Sequence, residues 1–124
     1  MVKIDTKEKY HVITIQEPKI TAIMTDQIEA SLLTILKSNL KNVILDFKDI
    51  NYVEEAAAEA LIHIQQSFYE QNASFIICNL QAQVQEMLDS YGLLEIINEV
   101  PTPMEAADII HMEEIERELL EGDL

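Results

Sequence analysis

Two short runs of apolar residues constrain the fold of this chain more than any other feature of its sequence. Residues 43–47 (VILDF) and 74–80 (SFIICNL) are almost wholly apolar, which is typical of strands covered on both faces of a sheet. The segment 55–71 between them carries apolar residues at helical spacing, namely Ala57, Ala60, Leu61, Ile64 and Phe68. A strand, a helix and a strand of these lengths predict a βαβ crossover and parallel pairing.

Further strands and helices are predicted on both sides of this unit. Asp26 and Glu29, three residues apart, predict the capped start of a helix, and Gly92 is a natural end for another. The other predicted elements are strands over 2–5, 10–15 and 95–100 and helices over 26–40, 82–91 and 104–120. The sequence therefore predicts an α/β fold. Its sheet is small, mixed and mostly parallel, with four to five strands flanked by about four helices.

Size and composition indicate one packed domain. The 124 residues are 48% hydrophobic with only 2 Gly and 3 Pro, which favours a folded core over disorder. No apolar run is long enough to cross a bilayer, and the first residues lack the apolar segment of a signal peptide. The single cysteine, Cys78, has no internal disulfide partner. We therefore expect a cytoplasmic protein that does not insert into membranes.

The charge of the chain is concentrated in its second half. Residues 1–50 contain seven Lys and seven acids, whereas residues 51–124 contain one base, Arg117, against sixteen acids. The whole formal charge of −15 thus lies beyond residue 50. Such a surface repels phosphate backbones and anionic lipid, so we expect no nucleic-acid partner. The acids either favour a basic partner or serve solubility alone.

The residues that carry out catalysis in other proteins are scattered here. His11, His63 and His111 fall on three different predicted elements, and Cys78 lies inside a buried strand, where it is typical of a core residue. With two glycines in the chain, no Gly-rich phosphate loop can form. We therefore predict that the protein is not an enzyme and needs no cofactor.

A metal site was the remaining chemical possibility. Glu55, Glu59 and His63 follow the i, i+4, i+8 spacing of one helix face, and near the C-terminus Asp108 and His111 lie three residues apart, as do His111 and Glu114. Acids and histidines at helical spacing are more often the solvated side of an amphipathic helix. Two carboxylates one turn apart with no third fixed ligand make a loose site, so we predict no functional metal.

The order of these elements resembles the STAS domains, the family of the bacterial anti-anti-sigma factors. The resemblance rests on residues 43–47 (the family's V-x-L-D-L), on 49–53 (DINYV), on the helix that follows and on 103–107 (PMEAA, near the family's T-x-x-E-A-L). It covers residues 1–112. Residues 113–124 then continue the last helix and form an acidic tail. The resemblance implies a small sheet flanked by helices and a function through docking.

The resemblance also implies a regulatory site at the start of the second helix. Family members of the anti-anti-sigma branch carry D-S-S-G or D-S-T-G there, and a kinase that also sequesters a sigma factor phosphorylates the Ser or Thr. This chain has Glu54-Glu55-Ala56-Ala57 instead, although Asp46 matches the family's strand-end Asp. Glu55 either imitates a phosphoserine in part, with one charge and two oxygens, or marks a switch that has been lost.

The predicted function is therefore a non-catalytic regulatory module that binds a protein through this region. The candidate contact residues are Asp46, Glu54, Glu55, Ala56, Glu59 and His63. The resemblance implies a sigma-factor antagonist with kinase-like activity, or another signalling protein, as the partner. Two alternatives stay open. One is an accessory STAS subunit of a membrane transport complex, and the other is a small-ligand sensor near Asp46 and Asn79.

The last predicted helix carries two apolar stripes on different sides. Ala106, Ile109 and Ile110 can cover the sheet together, but Met112, Ile115 and Leu119 fall on roughly the opposite side at 100° per residue. Either the helix bends back, or the second stripe stays in water, or it meets another chain. We predict a homodimer contact there, with the charged residues Glu113, Glu114, Arg117 and Glu118 at its rim.

Overall fold

A computed structural model describes residues 2–122 of the chain. Seven strands and four helices occur in this part. In chain order they are β1 (Val2–Thr6), β2 (His11–Ile15), β3 (Lys19–Ile20), α1 (Ala22–Leu36), β4 (Val43–Asp46), β5 (Tyr52–Val53), α2 (Glu55–Glu70), β6 (Phe75–Cys78), α3 (Ala82–Ser90), β7 (Glu99–Val100) and α4 (Pro103–Gly122).

The main sheet has five strands in the order β1-β2-β4-β6-β7. β1 pairs antiparallel with β2, and all the other pairs are parallel, with Ile13 opposite Leu45 and Leu45 opposite Ile77. The predicted α/β fold, with its mixed, mostly parallel sheet and four helices, is confirmed. Two short strands that the sequence did not predict, β3 and β5, pair parallel to each other in a separate small sheet.

Alternation along the central strands divides the core between the two faces of the sheet. Val43 and Leu45 contribute to the large cluster with α1, α2 and α3, whereas Ile44 and Cys78 pack against Ala106 and Ile110 of α4. Because both faces are covered, β4 and β6 are buried at every position, as their continuous apolar sequence predicted. Ala106 and Ile110 of α4 therefore cover the sheet, as the sequence predicted.

The first helix lies four residues earlier than predicted at both ends. α1 begins at Ala22, with Thr21 as its N-cap, so Asp26 and Glu29 lie inside the helix and form no capping box. The helix ends at Leu36, where the Ser38 hydroxyl donates to the carbonyl of Ile35 at 2.7 Å. Short polar side chains compete with helical hydrogen bonds in this way.

The segment after α3 also differs from prediction. Gly92 adopts a φ of +74° and ends α3 with the expected left-handed cap, since the Leu93 amide donates to the Leu88 carbonyl at 2.9 Å. Residues 93–97 continue as a turn that buries Ile97, so the strand predicted over 95–100 shortens to β7. The apolar residues of this segment pack as a turn against the core and do not extend the sheet.

Candidate functional site

The start of α2 is where the family resemblance implies a regulatory site. β5 leads directly into it, and Glu54 is the N-cap, with φ −67° and ψ 150°. The Glu54 amide donates to the Ile20 carbonyl of β3 at 2.9 Å, and the Ala58 amide donates to the Glu54 carbonyl at 2.9 Å. The small β3–β5 sheet thus fixes where α2 begins.

The carboxylate of Glu54 belongs to the neighbouring helix as much as to its own. Its Oε1 accepts a hydrogen bond from the backbone amide of Ala22, the first residue of α1, at 2.6 Å. A carboxylate at a helix N-terminus pairs with an otherwise unsatisfied amide and with the helix dipole. The amino-terminal ends of α1 and α2 therefore meet at this side chain, and Glu54 has an internal partner.

Four of the predicted contact residues share one exposed face of α2. Glu55, Ala56, Glu59 and His63 are all exposed, and they span about 100° of the helix, which we call the α2 acidic face. The opposite side of α2 is buried by Ala57, Ala58, Leu61, Ile64 and Phe68. The α2 acidic face begins in the first turn, where Glu55 adds a carboxylate to the positive end of the helix.

Aromatic and apolar groups that the sequence did not single out border this face. The Tyr91 hydroxyl donates to the Val53 carbonyl at 2.8 Å, and burial, followed by the charges of Tyr52, Glu55 and Glu54, raises the pKa of Tyr91. Lys19 Nζ lies 5.8 Å from the centre of the Tyr52 ring.

An exposed isoleucine stands beside the same region. Ile23, which follows the Ala22 amide bound by Glu54, is 93% exposed. A single exposed apolar side chain is common on soluble proteins, so Ile23 does not by itself mark a contact surface. The position of Ile23 next to the α2 start could not be predicted from the sequence, because it depends on the start of α1 at Ala22 and on the long-range hydrogen bond of Glu54.

Asp46 lies apart from the α2 acidic face in its exposure and its contacts. It is 6% exposed, and its Oδ1 accepts from the Lys48 amide at 2.9 Å and from Asn79 Nδ2 at 3.0 Å. Asn79 itself adopts a φ of +60° at the end of β6. Asp46 and Asn79, the two residues proposed for a small-ligand site, are therefore hydrogen-bonded to each other. Asp46 positions the turn after β4 and is not available as a surface contact.

Nucleophilic and metal chemistry find no assembled site in residues 2–122. Burial, reinforced by the charge of Asp46, raises the pKa of Cys78 to about 12, so its thiol stays protonated. His11 Nε2 donates to the Leu40 carbonyl at 3.0 Å and its Nδ1 is hydrogen-bonded to the Thr6 hydroxyl at 2.9 Å, whereas His63 and His111 are exposed on separate helices. Within this part of the chain no group of three or more His, Cys, Asp or Glu side chains is arranged to hold a metal ion.

The predicted oligomer contact lies on α4, away from the α2 acidic face. Met112, Ile115 and Leu119 are 59%, 42% and 64% exposed. Glu113, Glu114 and Arg117, which we predicted at the rim of an interface, instead face their own domain: Arg117 donates to Ser74 and to Glu114. That part of the prediction is wrong, because it assumed that charged residues next to the stripe were solvated.

Membrane association through a spanning helix finds no support in the described residues. Among the helices of residues 2–122, none combines the length and the apolar character needed to cross a bilayer.

Comparison with known proteins agrees with this architecture. The family model of the STAS domain matches residues 2–107. Three solved structures share the fold. The anti-sigma factor antagonist SpoIIAA in its unphosphorylated form is 15% identical, with 90% of this chain and 96% of that chain covered and a TM-score of 0.71. A serine-to-glutamate variant of RsbS from Moorella thermoacetica is 22% identical, with 94% and 97% covered and a TM-score of 0.74.

The third structure is a much larger protein. It is the murine Solute Carrier 26 family member A9 anion transporter in the inward-facing state, 16% identical over 87% of this chain and 18% of that chain, with a TM-score of 0.69. At these identities the structural likeness establishes the fold alone. No curated protein matches the sequence.

Proposed function

The chain belongs to the STAS domain family, and we propose that it is a non-catalytic regulatory module that docks onto a signalling protein through the α2 acidic face. The observation that carries this proposal is the exposure of Glu55, Ala56 and Glu59 at the start of α2, where the family resemblance implies the regulatory site. The resemblance favours a sigma-factor antagonist with kinase-like activity as the partner. The buried, protonated Cys78 and the separated histidines support a role without chemistry.

We further propose that docking here is not switched by phosphorylation. Residues 54–58 (EEAAA) contain no hydroxyl group, and the nearest hydroxyl on α2, Ser67, is about three turns further along. Glu55 supplies a single charge at an exposed helix N-terminus, where a phosphate would carry roughly −1.5 to −2. The Moorella RsbS structure, which holds a glutamate in place of a serine, supports the compatibility of such a substitution with this fold.

Intact-mass analysis tests the absence of the switch. The full chain is incubated with ATP and a serine kinase of the anti-sigma class, alongside a Glu55→Ser variant as the matched control. We expect no mass increase for the wild type and a phosphate on the variant. A stoichiometric phosphate on the wild type, at Tyr52 or anywhere in α2, would sink this part of the proposal.

A pull-down with charge-matched variants tests the docking surface. Glu55→Lys with Glu59→Lys reverses two charges on the α2 acidic face, and Glu86→Lys with Asp89→Lys reverses two exposed charges on α3. We expect the first pair to lose the partner recovered from native cells and the second pair to keep it. If both pairs bind alike while circular dichroism shows them folded, the docking surface lies elsewhere.

A second candidate function is that of an accessory subunit of a membrane transport complex. It is favoured by the likeness of this chain to part of an anion transporter. Membrane fractionation distinguishes the two candidates, since a transport subunit should sediment with membranes and leave them when the α2 acidic face is reversed in charge. A signalling partner should stay in the supernatant.

A further inference from the structure

The outward side of α4 carries a stripe of exposed apolar residues, interrupted once by Asp108. Met104 is 75% exposed and extends the stripe of Met112, Ile115 and Leu119 back to the first turn. With Ala106, which is buried on the sheet, set at zero, these four residues fall between about 160° and 240° around the helix axis. We call this stripe the α4 outer face. Four large apolar side chains aligned on one face differ from the singly scattered ones that soluble proteins tolerate.

A polar cluster on the other side of α4 fixes this orientation. The Ser74 hydroxyl donates to Glu113 Oε1 at 2.6 Å and accepts from Arg117 Nη2 at 2.7 Å. Asn42, which is 4% exposed, donates to Glu114 Oε1 at 2.7 Å. Asn42 and Ser74 are buried immediately before β4 and β6, so the second half of α4 is tied to its domain by these contacts. The apolar stripe therefore cannot turn inward without breaking the cluster.

Only acidic charges accompany the α4 outer face. Glu105, Asp108, Glu116 and Glu118 are exposed beside or within the stripe. Exposed His111 also borders the stripe, and the one Lys or Arg of the described helix, Arg117, is held by Ser74 and Glu114 on the opposite side. An apolar stripe with acidic borders is complementary to an apolar stripe bordered by Lys and Arg.

We propose that the α4 outer face binds an amphipathic basic helix of a second protein partner. The apolar residues supply the buried centre of the contact, and Glu105, Glu116 and Glu118 at its borders pair with the basic rim of the partner helix. A second copy of this chain is the less favoured occupant, because a two-fold contact through the same face sets acids of one copy against acids of the other. The homodimer prediction took Glu113, Glu114, Arg117 and Glu118 as the rim and did not consider the acids Glu105 and Glu116 beside the stripe.

This surface is separate from the proposed docking site. α4 covers one face of the sheet, whereas α1, α2 and α3 pack on the other. The two surfaces therefore allow one STAS domain to hold two proteins at once. The inference does not depend on the proposed function of α2, and variants on either surface leave the other unchanged.

Binding of designed peptides to the full chain tests the proposal. The probe is a fluorescent helical peptide of roughly 18 residues with a leucine stripe flanked by lysines. Its matched controls are the same peptide with glutamates for lysines and a scrambled lysine peptide without the stripe. Fluorescence anisotropy should show saturable binding of the first peptide, and at least about tenfold weaker binding of both controls.

Variants of the chain locate the contact. Ile115→Ser with Leu119→Ser should weaken binding of the basic helix at least about tenfold, whereas Ile23→Ser, at an exposed isoleucine in the first turn of α1, should not. Circular dichroism confirms that each variant folds. Unchanged binding by the double variant, or equal binding of the acidic peptide, would overturn the proposal. Light scattering that shows a dimer dissociated by the double variant would assign the face to a second copy and overturn it also.

Discussion

The carboxylate of Glu54 connects two helices that are separated in sequence. It caps α2 through its backbone and binds the first amide of α1 through its side chain, 32 residues away in the chain. The family resemblance placed this residue beside a phosphoacceptor, and local patterns suggested only an acidic helix start. Neither could predict the contact with Ala22, because it depends on how β3 and β5 bring the two helix ends together.

Removal of this side chain should lower stability. Glu54→Ala leaves the Ala22 amide without its acceptor, so we expect the free energy of unfolding to fall by about 1–2 kcal/mol. Glu54→Gln keeps an acceptor and should lose less. Urea denaturation provides the measurement, with the exposed Glu59→Ala as the control. Equal stability of the Glu54→Ala and Glu59→Ala proteins would contradict the bridging role.

Cys78 should behave as a protonated core residue. Its pKa rises from an ordinary value of 9.0 to about 12, so the unfolded chain loses this proton at lower pH than the folded one. The protonated thiol therefore leaves the free energy of unfolding unchanged below about pH 9, and this free energy falls as the pH rises from 9 toward 12. The loss is about 1.4 kcal/mol per pH unit at most for one group.

Alkaline denaturation and thiol labelling measure this behaviour. We expect the unfolding free energy of the wild type to fall more steeply above pH 9 than that of Cys78→Ala. A thiol reagent should label Cys78 only as the chain unfolds. Rapid labelling of the folded protein at neutral pH would show that the thiol is accessible, contrary to its complete burial.

At the scale of elements, the sequence predicted what depends on periodicity. The ends of β4, β6 and α2 were predicted to within two residues, because wholly apolar strands and a strongly amphipathic helix have few alternatives. The predicted bounds of α1 were four residues too late, because Asp26 and Glu29 have the spacing of a capped helix start. The actual start is stabilised by the distant side chain of Glu54. The two-residue strands β3 and β5 carry too few residues for any pattern.

The second half of α4 depends on polar contacts rather than on an apolar core. Arg117→Ala removes hydrogen bonds to Ser74 and Glu114, so residues 113–121 should exchange their amide hydrogens about tenfold faster. Residues 103–110 should be unaffected, because Ala106 and Ile110 remain buried. Hydrogen exchange with mass spectrometry gives the measurement. Glu118→Ala, at an exposed position, is the control, and equal protection in both variants would contradict the anchoring role.

At the scale of the whole molecule, the charge of the second half lies on surfaces that the fold leaves open. The α2 acidic face and the borders of the α4 outer face both consist of exposed acids, on helices that cover opposite faces of the sheet. Composition predicted that a partner would have to offset this charge. It could not show that the acids form two surfaces, or that Arg117, Glu113 and Glu114 are used inside the domain.

Docking through the α2 acidic face should also depend on salt. Glu55 and Glu59 are exposed, so raising NaCl from about 0.1 to about 0.5 M should weaken binding of the partner recovered by pull-down. Calorimetric titration of that partner gives the dissociation constant at each salt concentration. An affinity unaffected by salt would show that these acids do not contribute to the contact.

Photo-crosslinking from Ala56 tests the central claim most directly. A photoreactive amino acid replaces this exposed residue at the start of α2. A second variant of the chain carries the same amino acid at exposed Gln83 of α3 as the control. After irradiation in native cells, mass spectrometry identifies the adducts. We predict one discrete protein adduct from position 56, lost when Glu55 and Glu59 are changed to Lys. The same adduct from position 83 alone, or one at position 56 that survives the charge reversal, would contradict docking through the α2 acidic face.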